Sequence, residues 1–278
     1  MSNFINKKVL PTAIPDEKIV TIYSSDEYAE IVSSLNKPKN IPTKRMSKAQ
    51  YVDIRTGEIK EYQRHEKSKS VDDLIDAFKK KFKALRRTIR VNFMGNGNEK
   101  HITLTYKDRV SDTKLLQKDF RCFWKKFKYH YPNVEYVRVY ELQARLSFHI
   151  HILIKSKDNE PVNISEDEVS KYWNHKGSVK ITSINNVGYI SNYFDATTHS
   201  KKLQTLPYYP KGLRFYACSA GIVRPQKQTI LYKEAKKIVS DMDLTYESES
   251  EHYLVNADGV LQKTNRIKYE QFARRRPP

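Results

Sequence analysis

Two histidines with a single residue between them are the side chains best suited to chemistry in this sequence. His149 and His151 lie within the apolar run 147–154. Side chains alternate between the two faces of a β-strand, so a strand over this run would place both imidazoles on one face. Two imidazoles placed in this way can bind one divalent metal ion, provided that a neighbouring element supplies a third ligand.

The predicted third ligand is Glu141, which ends the segment just before the histidines. A tight turn through Ala144 and Arg145 would bring its carboxylate back beside His149. Gln143 is the weaker alternative, because an amide oxygen is a poorer donor than a carboxylate. Two imidazoles and one carboxylate leave coordination positions open for phosphate oxygens. Mn²⁺ or Mg²⁺ suits that role, although affinity alone would favour softer metals.

A pair of tyrosines follows further along the chain. Tyr189 and Tyr193 are four residues apart, so they share one face if they lie on a helix. A phenol has a pKa of about 10, and it is a useful nucleophile at neutral pH only if the transition state is stabilised elsewhere. A metal ion on the scissile phosphate supplies that stabilisation. The histidine pair and the tyrosine pair together predict cutting and rejoining of single-stranded DNA through a phosphotyrosyl link; the alternative for the tyrosines is core packing.

Composition favours a nucleic-acid partner. The 278 residues include 51 Lys and Arg against 32 Asp and Glu, a net charge of +19, and such an excess attracts polyanions. No apolar run approaches the roughly 20 residues that span a bilayer, and the first residues lack the layout of a signal peptide. Two cysteines are too few for a disulfide framework. We therefore expect DNA rather than a membrane as partner, and a cytoplasmic location.

Hydrophobic periodicity predicts alternating helices and strands from residue 71 onward. The predicted order is a helix from 71, a strand over 101–106, a helix from 111 or 112, strands over 134–142 and 147–154, a helix opening at 165, a strand over 179–182 and the tyrosine helix. This order indicates an α+β fold, an antiparallel sheet with helices packed mainly on one face.

Three parts are predicted along the chain. Residues 1–70 read as a basic N-terminal extension with DNA contact as a candidate role, residues 71–230 as the catalytic domain, and residues 231–278 as a C-terminal helix and hairpin extension. The basic side chains of the first helix fall mostly off its apolar stripe, as a solvated face or a phosphate-binding face. The candidate DNA contacts are Lys79, Lys80, Lys83, Arg86, Arg87, Arg90, His175 and Asn192. His101 is either a support for the metal ligands or a surface residue.

The motifs carry a family resemblance. Thr103-Leu104-Thr105-Tyr106, then Glu141 to His149-Ile150-His151, then Tyr189 to Tyr193 occur in the order of the three motifs of HUH endonucleases. More narrowly, residues 71–226 resemble the rolling-circle replication initiators of bacterial plasmids and phages. The resemblance implies an RNA-recognition-like sheet, a metal held by His149, His151 and a carboxylate or amide, and a 5′-phosphotyrosine intermediate that leaves a 3′ hydroxyl to prime synthesis.

The chain departs from the family in its tyrosine motif. Relatives usually carry a lysine three residues after a tyrosine, whereas Asn192 and Ala196 stand at those positions here. Lys201 or Lys202 would have to substitute. Tyr193 is the preferred nucleophile, with Tyr189 as partner or alternate, because some relatives replace the first tyrosine.

The resulting hypothesis is a metal-dependent, site-specific nickase and strand transferase that initiates rolling-circle replication. Its partners would be single-stranded or hairpin origin DNA, a host helicase and the replication machinery, since the chain lacks a phosphate-loop motor motif. A plasmid-mobilising relaxase or a single-strand transposase would use the same chemistry. A non-catalytic DNA-binding repressor is the alternative from a different class.

Overall fold

The computed structural model describes residues 4–34, 43–53, 56–62, 71–143, 145–194, 203–255 and 259–274. Ala144, Ala196, Lys201 and Lys202, which enter the sequence predictions, lie outside these ranges. The chain divides into two compact units, one of Lys69–Arg224 and the other of Met1–Ser68 with Pro225–Pro278. Among the described helices, none is both long and apolar enough to cross a membrane.

The elements are numbered in chain order. The strands are β1 Phe4–Val9, β2 Ile19–Ser24, β3 Tyr28–Ser34, β4 Thr43–Arg45, β5 Gln50–Asp53, β6 Ile59–Glu61, β7 Lys100–Thr105, β8 Val134–Leu142, β9 Phe148–Ser156, β10 Val179–Ser183, β11 Tyr216–Cys218, β12 Gln226–Leu231, β13 Asp243–Val255 and β14 Leu261–Ala273. The helices are α1 Val71–Asn92, α2 Thr113–His130, α3 Glu166–Tyr172, α4 Val187–Tyr193 and α5 Tyr232–Ile238, with a 3₁₀ turn at Leu206–Tyr208.

The unit of Lys69–Arg224 is built on a five-stranded sheet in the order β10-β7-β9-β8-β11. Every neighbouring pair in it is antiparallel. The predicted α+β class is confirmed, and the predicted helices and strands of this region are present within a few residues of their expected bounds. β9 occupies the centre of the sheet, where β7 and β8 flank it on either side.

Helices cover both faces of this sheet, whereas the sequence predicted them mainly on one. Phe148, Ile150 and Ile152 of β9 pack with the aromatic stripe of α2 and with Trp173 after α3. The other face, which carries Leu153, packs against α1, α4 and the segment that follows α4. The reason is that β8 and β9 have apolar residues on both faces, so each face needs a cover.

Helix starts follow from local capping chemistry. The Asp112 side chain accepts from the backbone N–H of Lys114 at the start of α2. Ser165 and Glu168 form a reciprocal capping box at α3, as predicted. Asn186 caps α4 by accepting from the Tyr189 N–H.

Gly177 allows the segment after α3 to pass close to the end of β7. A Cβ atom at this position would lie 2.0 Å from the carbonyl oxygen of Thr105, which no side chain can tolerate. The neighbouring backbone is tied to the same strand, since Thr105 donates to Ser178 and Lys107 donates to Lys176. A glycine is therefore required where this loop packs against β7, the strand that carries His101.

The unit formed by the two ends of the chain has a six-stranded sheet in the order β1-β13-β14-β3-β2-β12, and a second sheet of β4-β5-β6. The sequence treated residues 1–70 and 231–278 as separate extensions and predicted no strand in the acidic stretch now seen as β13. β13 is stable as a strand because its acidic side chains meet basic side chains of β14. Glu247 lies 2.5 Å from Lys268, and Glu249 forms an ion pair with Arg266.

Candidate active site

The strand register brings the candidate metal ligands together at the centre of the five-stranded sheet. Across β8 and β9, Glu141 lies opposite His149 and Val139 lies opposite His151. On the other side of β9, Thr103 of β7 lies opposite His151. Three adjacent strands thus contribute polar side chains to one face, as strand alternation predicted for the two histidines.

His151 is the most enclosed member of this cluster, with 2% of its surface exposed. Its Nε2 atom lies 2.7 Å from Oε2 of Glu141. Its Nδ1 atom lies 3.0 Å from Nε2 of His101 and 3.3 Å from Oγ1 of Thr103. A carboxylate can only accept, so Nε2 donates to Glu141, and in a neutral ring Nδ1 accepts from His101 or Thr103. The ring is therefore fixed from both sides.

His149 is half-buried and contacts a different partner. Its Nδ1 atom lies 2.8 Å from Nε2 of Gln143, whose amide nitrogen donates. The sequence predicted that the carboxylate of Glu141 would return to His149. Glu141 is indeed the cross-strand neighbour of His149, but the carboxylate reaches diagonally to His151 instead. Burial, helped by the nearby His151, lowers the pKa of His149 below 6.5, and Glu141 opposes this only in part. The ring is therefore neutral at neutral pH.

The two tyrosines of helix α4 differ in their exposure to solvent. Their ring centroids are 6.3 Å apart, as expected for neighbours on one helix face. The Tyr193 ring is half-buried and lies 5.7 Å from the His151 ring and 6.0 Å from the His101 ring. Tyr189 is 69% exposed. Burial, then the charge of Glu141 and the neighbouring Tyr189, raise the pKa of Tyr193 above 10. The phenol is protonated at neutral pH, so any nucleophilic role needs activation by other groups.

Imidazole nitrogens and a carboxylate are donor types that bind divalent ions, but two of them contact each other directly in this structure. Adjacent ligands of an octahedral ion with bonds of 2.0–2.1 Å are separated by about 3 Å. The 2.7 Å between Nε2 of His151 and Oε2 of Glu141 is close to that value. Within the described part of the chain, no three His, Cys, Asp or Glu side chains converge in a metal-binding arrangement. The side chain of His149 contacts Gln143 instead, and it would have to rotate to become a third ligand beside Glu141 and His151.

The segment that contains these residues matches a known protein family. Residues 99–198 match the model of a replication-associated protein family of the ORF2 type. The matched segment runs from the residue before β7 to just past α4, so it contains Glu141, both histidines and both tyrosines. The match supports a replication-associated, Rep-type protein and DNA binding. Searches of curated proteins and of solved structures gave no significant match.

The basic residues predicted to contact DNA on α1 fall into two groups. Lys79, Lys80 and Lys83 are exposed, whereas Arg86, Arg87 and Arg90 are half-buried. Arg90 donates from Nε to the hydroxyl of Ser191 at 3.3 Å, a contact that joins α1 to α4. The lysines thus face solvent, where a phosphate backbone can approach them, while Arg90 contacts the tyrosine helix. Their DNA contacts stay predictions.

Asn192 and His175, the two other predicted DNA contacts, are both exposed. Asn192 lies on α4 between the tyrosines. His175 lies in the turn after α3 with φ 51°, and its Nδ1 atom is 3.0 Å from the hydroxyl of Ser170. Its contact with DNA stays a prediction.

His101, Thr103 and Phe194 are the site residues that sequence reasoning undervalued or missed. His101 and Thr103 touch His151, and the Phe194 ring lies 5.5 Å from the His151 ring. The alternation of His101 with Thr103 on one strand face was a usable signal. It became informative only with the pairing of β7 and β9, which the sequence does not specify locally.

Proposed function

We propose that this chain is a metal-dependent, site-specific single-strand DNA endonuclease and strand transferase that initiates rolling-circle replication. One observation carries the proposal. The ring of Tyr193 lies 5.7 Å from that of His151, whose Nε2 atom contacts Glu141, and all three belong to the segment that matches replication-associated proteins. A nucleophile candidate beside a metal-ligand candidate is the arrangement that transfer of a phosphoryl group to tyrosine requires.

The side chains that would hold the metal are Glu141, His149 and His151. A divalent ion such as Mn²⁺ or Mg²⁺ bound there would withdraw charge from the scissile phosphate. His101 and Thr103 orient the ring of His151, and Gln143 orients that of His149. These supporting contacts fix the orientation of the two rings, as the partners of metal-binding histidines do.

Tyr193 is the proposed nucleophile. Its phenol oxygen attacks phosphorus, the bond between phosphorus and the 3′ oxygen breaks, the phenol proton is released to solvent, and the departing 3′ oxygen gains a proton. The products are a 5′-phosphotyrosine and a 3′ hydroxyl. Because the new bond is also a phosphodiester, a 3′ hydroxyl can reverse the reaction. Tyr189 is exposed on the same helix face, and in this proposal it attacks a second phosphate.

The proposed partners follow from this chemistry. A strand held open as single-stranded or hairpin origin DNA is the substrate, and a host helicase with the replication machinery extends the freed 3′ end. We place this activity in the cytoplasm, where a replicon would be copied.

The test is to incubate the full chain with Mn²⁺ and a pool of hairpin oligonucleotides with randomised single-stranded loops. We expect a covalent adduct on a denaturing gel, and mass spectrometry of the attached peptide should identify Tyr193. Tyr193→Phe should reduce the adduct to background, and Tyr189→Phe should retain it. Tyr208→Phe is the matched control, since Tyr208 is 62% exposed and lies outside the cluster.

Three results would contradict the proposal in different ways. An adduct retained in the double variant Tyr189→Phe, Tyr193→Phe would reject the nucleophile. Full activity in His149→Ala would reject the metal site. Sequence-specific binding without any adduct would support the non-catalytic repressor instead.

A further inference from the structure

Arg138 of β8 lies on the sheet face opposite the histidine cluster and is almost fully buried. It pairs with Ile152 across β8 and β9, so its side chain shares the face of the α2 core. It is 7% exposed, and its guanidinium carbon lies 4.7 Å from the ring centre of Phe120 and 3.7 Å from that of Tyr140. Its guanidinium interacts with the hydroxyl of Tyr140, whereas its Nε atom has no hydrogen-bond partner within the part of the chain that the structure describes.

Arg138 and Tyr140 border an open cavity of about 440 Å³. Besides Arg138, the cavity is lined by Arg121 of α2 and by Arg214, which precedes β11. Its aromatic walls are Phe120, Tyr136 and Tyr140, and none of the lining residues that the structure describes is acidic. A buried cation without a carboxylate is unfavourable unless another anion compensates it. The cavity therefore combines positive charge that no lining carboxylate offsets with aromatic walls.

We propose that this cavity binds a nucleoside phosphate. The guanidinium groups of three arginines suit phosphate oxygens, to which arginine binds in a bidentate manner. The phenyl and phenol rings offer faces on which a base can stack, and the Gln117 amide can hydrogen-bond to a base edge. The volume is within the range of small-molecule sites. The ligand is either a free nucleotide or one nucleotide of a DNA strand, which share this chemistry.

The test measures binding to the full chain by calorimetry in the presence of EDTA. The probes are dAMP, orthophosphate, deoxyadenosine and a 5′-phosphorylated octamer of deoxyadenosine. We expect dAMP to bind at least about tenfold more tightly than either orthophosphate or deoxyadenosine, because each contains only half of the recognised chemistry. Equal affinities for dAMP and orthophosphate, or no binding of dAMP and the octamer, would overturn the proposal.

Substitutions at the rim avoid disturbing the core. Arg121 and Arg214 are exposed, so Arg121→Gln with Arg214→Gln should fold normally and weaken nucleotide binding at least about tenfold. Lys114→Gln with Lys118→Gln, two exposed changes on α2 outside the cavity, removes the same charge and should leave affinity unchanged. Equal effects of the two double variants would reject the site in favour of general electrostatic attraction. Arg138→Met should abolish binding in protein whose circular dichroism remains native.

The probes also separate the two sources. If the octamer binds more tightly than dAMP and loses affinity in the rim variant, the cavity holds a nucleotide of a strand. If the octamer fails to displace dAMP, the cavity holds a free nucleotide. The inference does not rest on the nicking chemistry, since binding should persist in Tyr189→Phe, Tyr193→Phe, where the adduct is lost.

Discussion

His151 is nearly inaccessible to solvent, yet both of its ring nitrogens have polar partners. Glu141 lies at Nε2, and His101 with Thr103 lies at Nδ1. Burying a polar group without such partners would be costly, so the contacts explain how the ring is accommodated. They also select the tautomer in which Nε2, the nitrogen that faces the carboxylate, carries the proton. At the scale of single residues, the cluster depends on these supporting contacts as much as on the ligands.

His101→Ala tests this support. The variant removes the contact to Nδ1 of His151 while all three proposed ligands stay unchanged. We expect Mn²⁺ affinity and the adduct-forming rate to fall about 10–100-fold, the usual cost of losing a partner of a metal-binding histidine. Mn²⁺ affinity is measured by calorimetry, with His130→Ala, an exposed histidine of α2, as control. Unchanged Mn²⁺ affinity would show that His101 does not act through His151.

Glu135 is a second buried acid, and it stabilises the fold rather than the site. Its side chain is 8% exposed, lies 3.5 Å from Lys128 and from Lys157, and accepts from the N–H of Gly221 at 3.1 Å. Burial alone would raise the pKa of Glu135. Hydrogen bonds from Ser219 and Gly221 and the two lysine charges outweigh burial and lower it below 4.5.

The pH dependence of stability follows from that direction. A lowered folded-state pKa means that the contribution of Glu135 is complete above pH 4.5 and is lost as the pH falls through the folded-state pKa. Glu135→Gln should lower the free energy of unfolding by about 1–2 kcal/mol at neutral pH and flatten its decline below pH 4.5. Urea midpoints across this range check it, with the exposed Glu160→Gln as control. If the free energy of unfolding of Glu135→Gln declined below pH 4.5 as steeply as that of the unchanged protein, Glu135 would not be the source of the decline.

At the scale of elements, adjacent strands and one short helix assemble the candidate site. β9 supplies both histidines, β8 supplies the carboxylate, and α4 packs on the same face and brings Tyr193 beside His151. α1 packs on this face as well, with an apolar stripe inward and lysines outward. Helix α1 therefore has both a structural side and a side available to DNA.

The exposed lysines of α1 lead to a prediction about salt. If Lys79, Lys80 and Lys83 each neutralise one phosphate, changing all three to Gln should reduce the slope of log affinity against log salt by about 2 for single-stranded DNA. The slope is measured with a labelled oligonucleotide over a range of salt concentrations. Lys114→Gln, Lys118→Gln and Lys125→Gln on α2 form the charge-matched control. A slope that changes equally in both variants would mean that α1 holds no particular contact.

At the scale of the whole molecule, the chain has two units with separate cores. Lys69–Arg224 carries the candidate site, and the two ends of the chain meet in the other unit, where β1 pairs with β13. The net charge of +19 lies mostly in Lys69–Arg224, where 29 Lys and Arg stand against 15 Asp and Glu, and it favours general attraction to DNA. Because the cores are separate, we expect each unit to unfold in its own transition.

A matched pair of substitutions tests that expectation. Ile31 of β3 and Ile152 of β9 are each 0% exposed, in the cores of different units. Changing either to Ala should cost about 2–5 kcal/mol. In scanning calorimetry, we expect Ile31→Ala to lower the midpoint temperature of one transition and Ile152→Ala to lower that of the other. If both variants shift a single shared transition equally, the units unfold as one.

Local sequence determined much of the unit that carries the site. The start of α2 at Asp112, the capping box at Ser165 and the alternation that puts His149 and His151 on one face depend on residues a few positions apart. Such features are decided by backbone geometry and nearby hydrogen bonds, so sequence patterns predict them. The roles of Glu141 and Tyr193 were predicted in the same way and stay predictions.

Only tertiary structure decided which strands pair and which side chains meet across them. The pairing of β7 with β9 brings His101 to His151, and the pairing of β13 with β14 makes a strand of an acidic stretch. The burial of Arg138 beside its cavity likewise depends on α2 packing over β8. These arrangements join residues far apart in the chain, where many alternative pairings satisfy the same local pattern. Burial and charge complementarity across the folded sheets select among them.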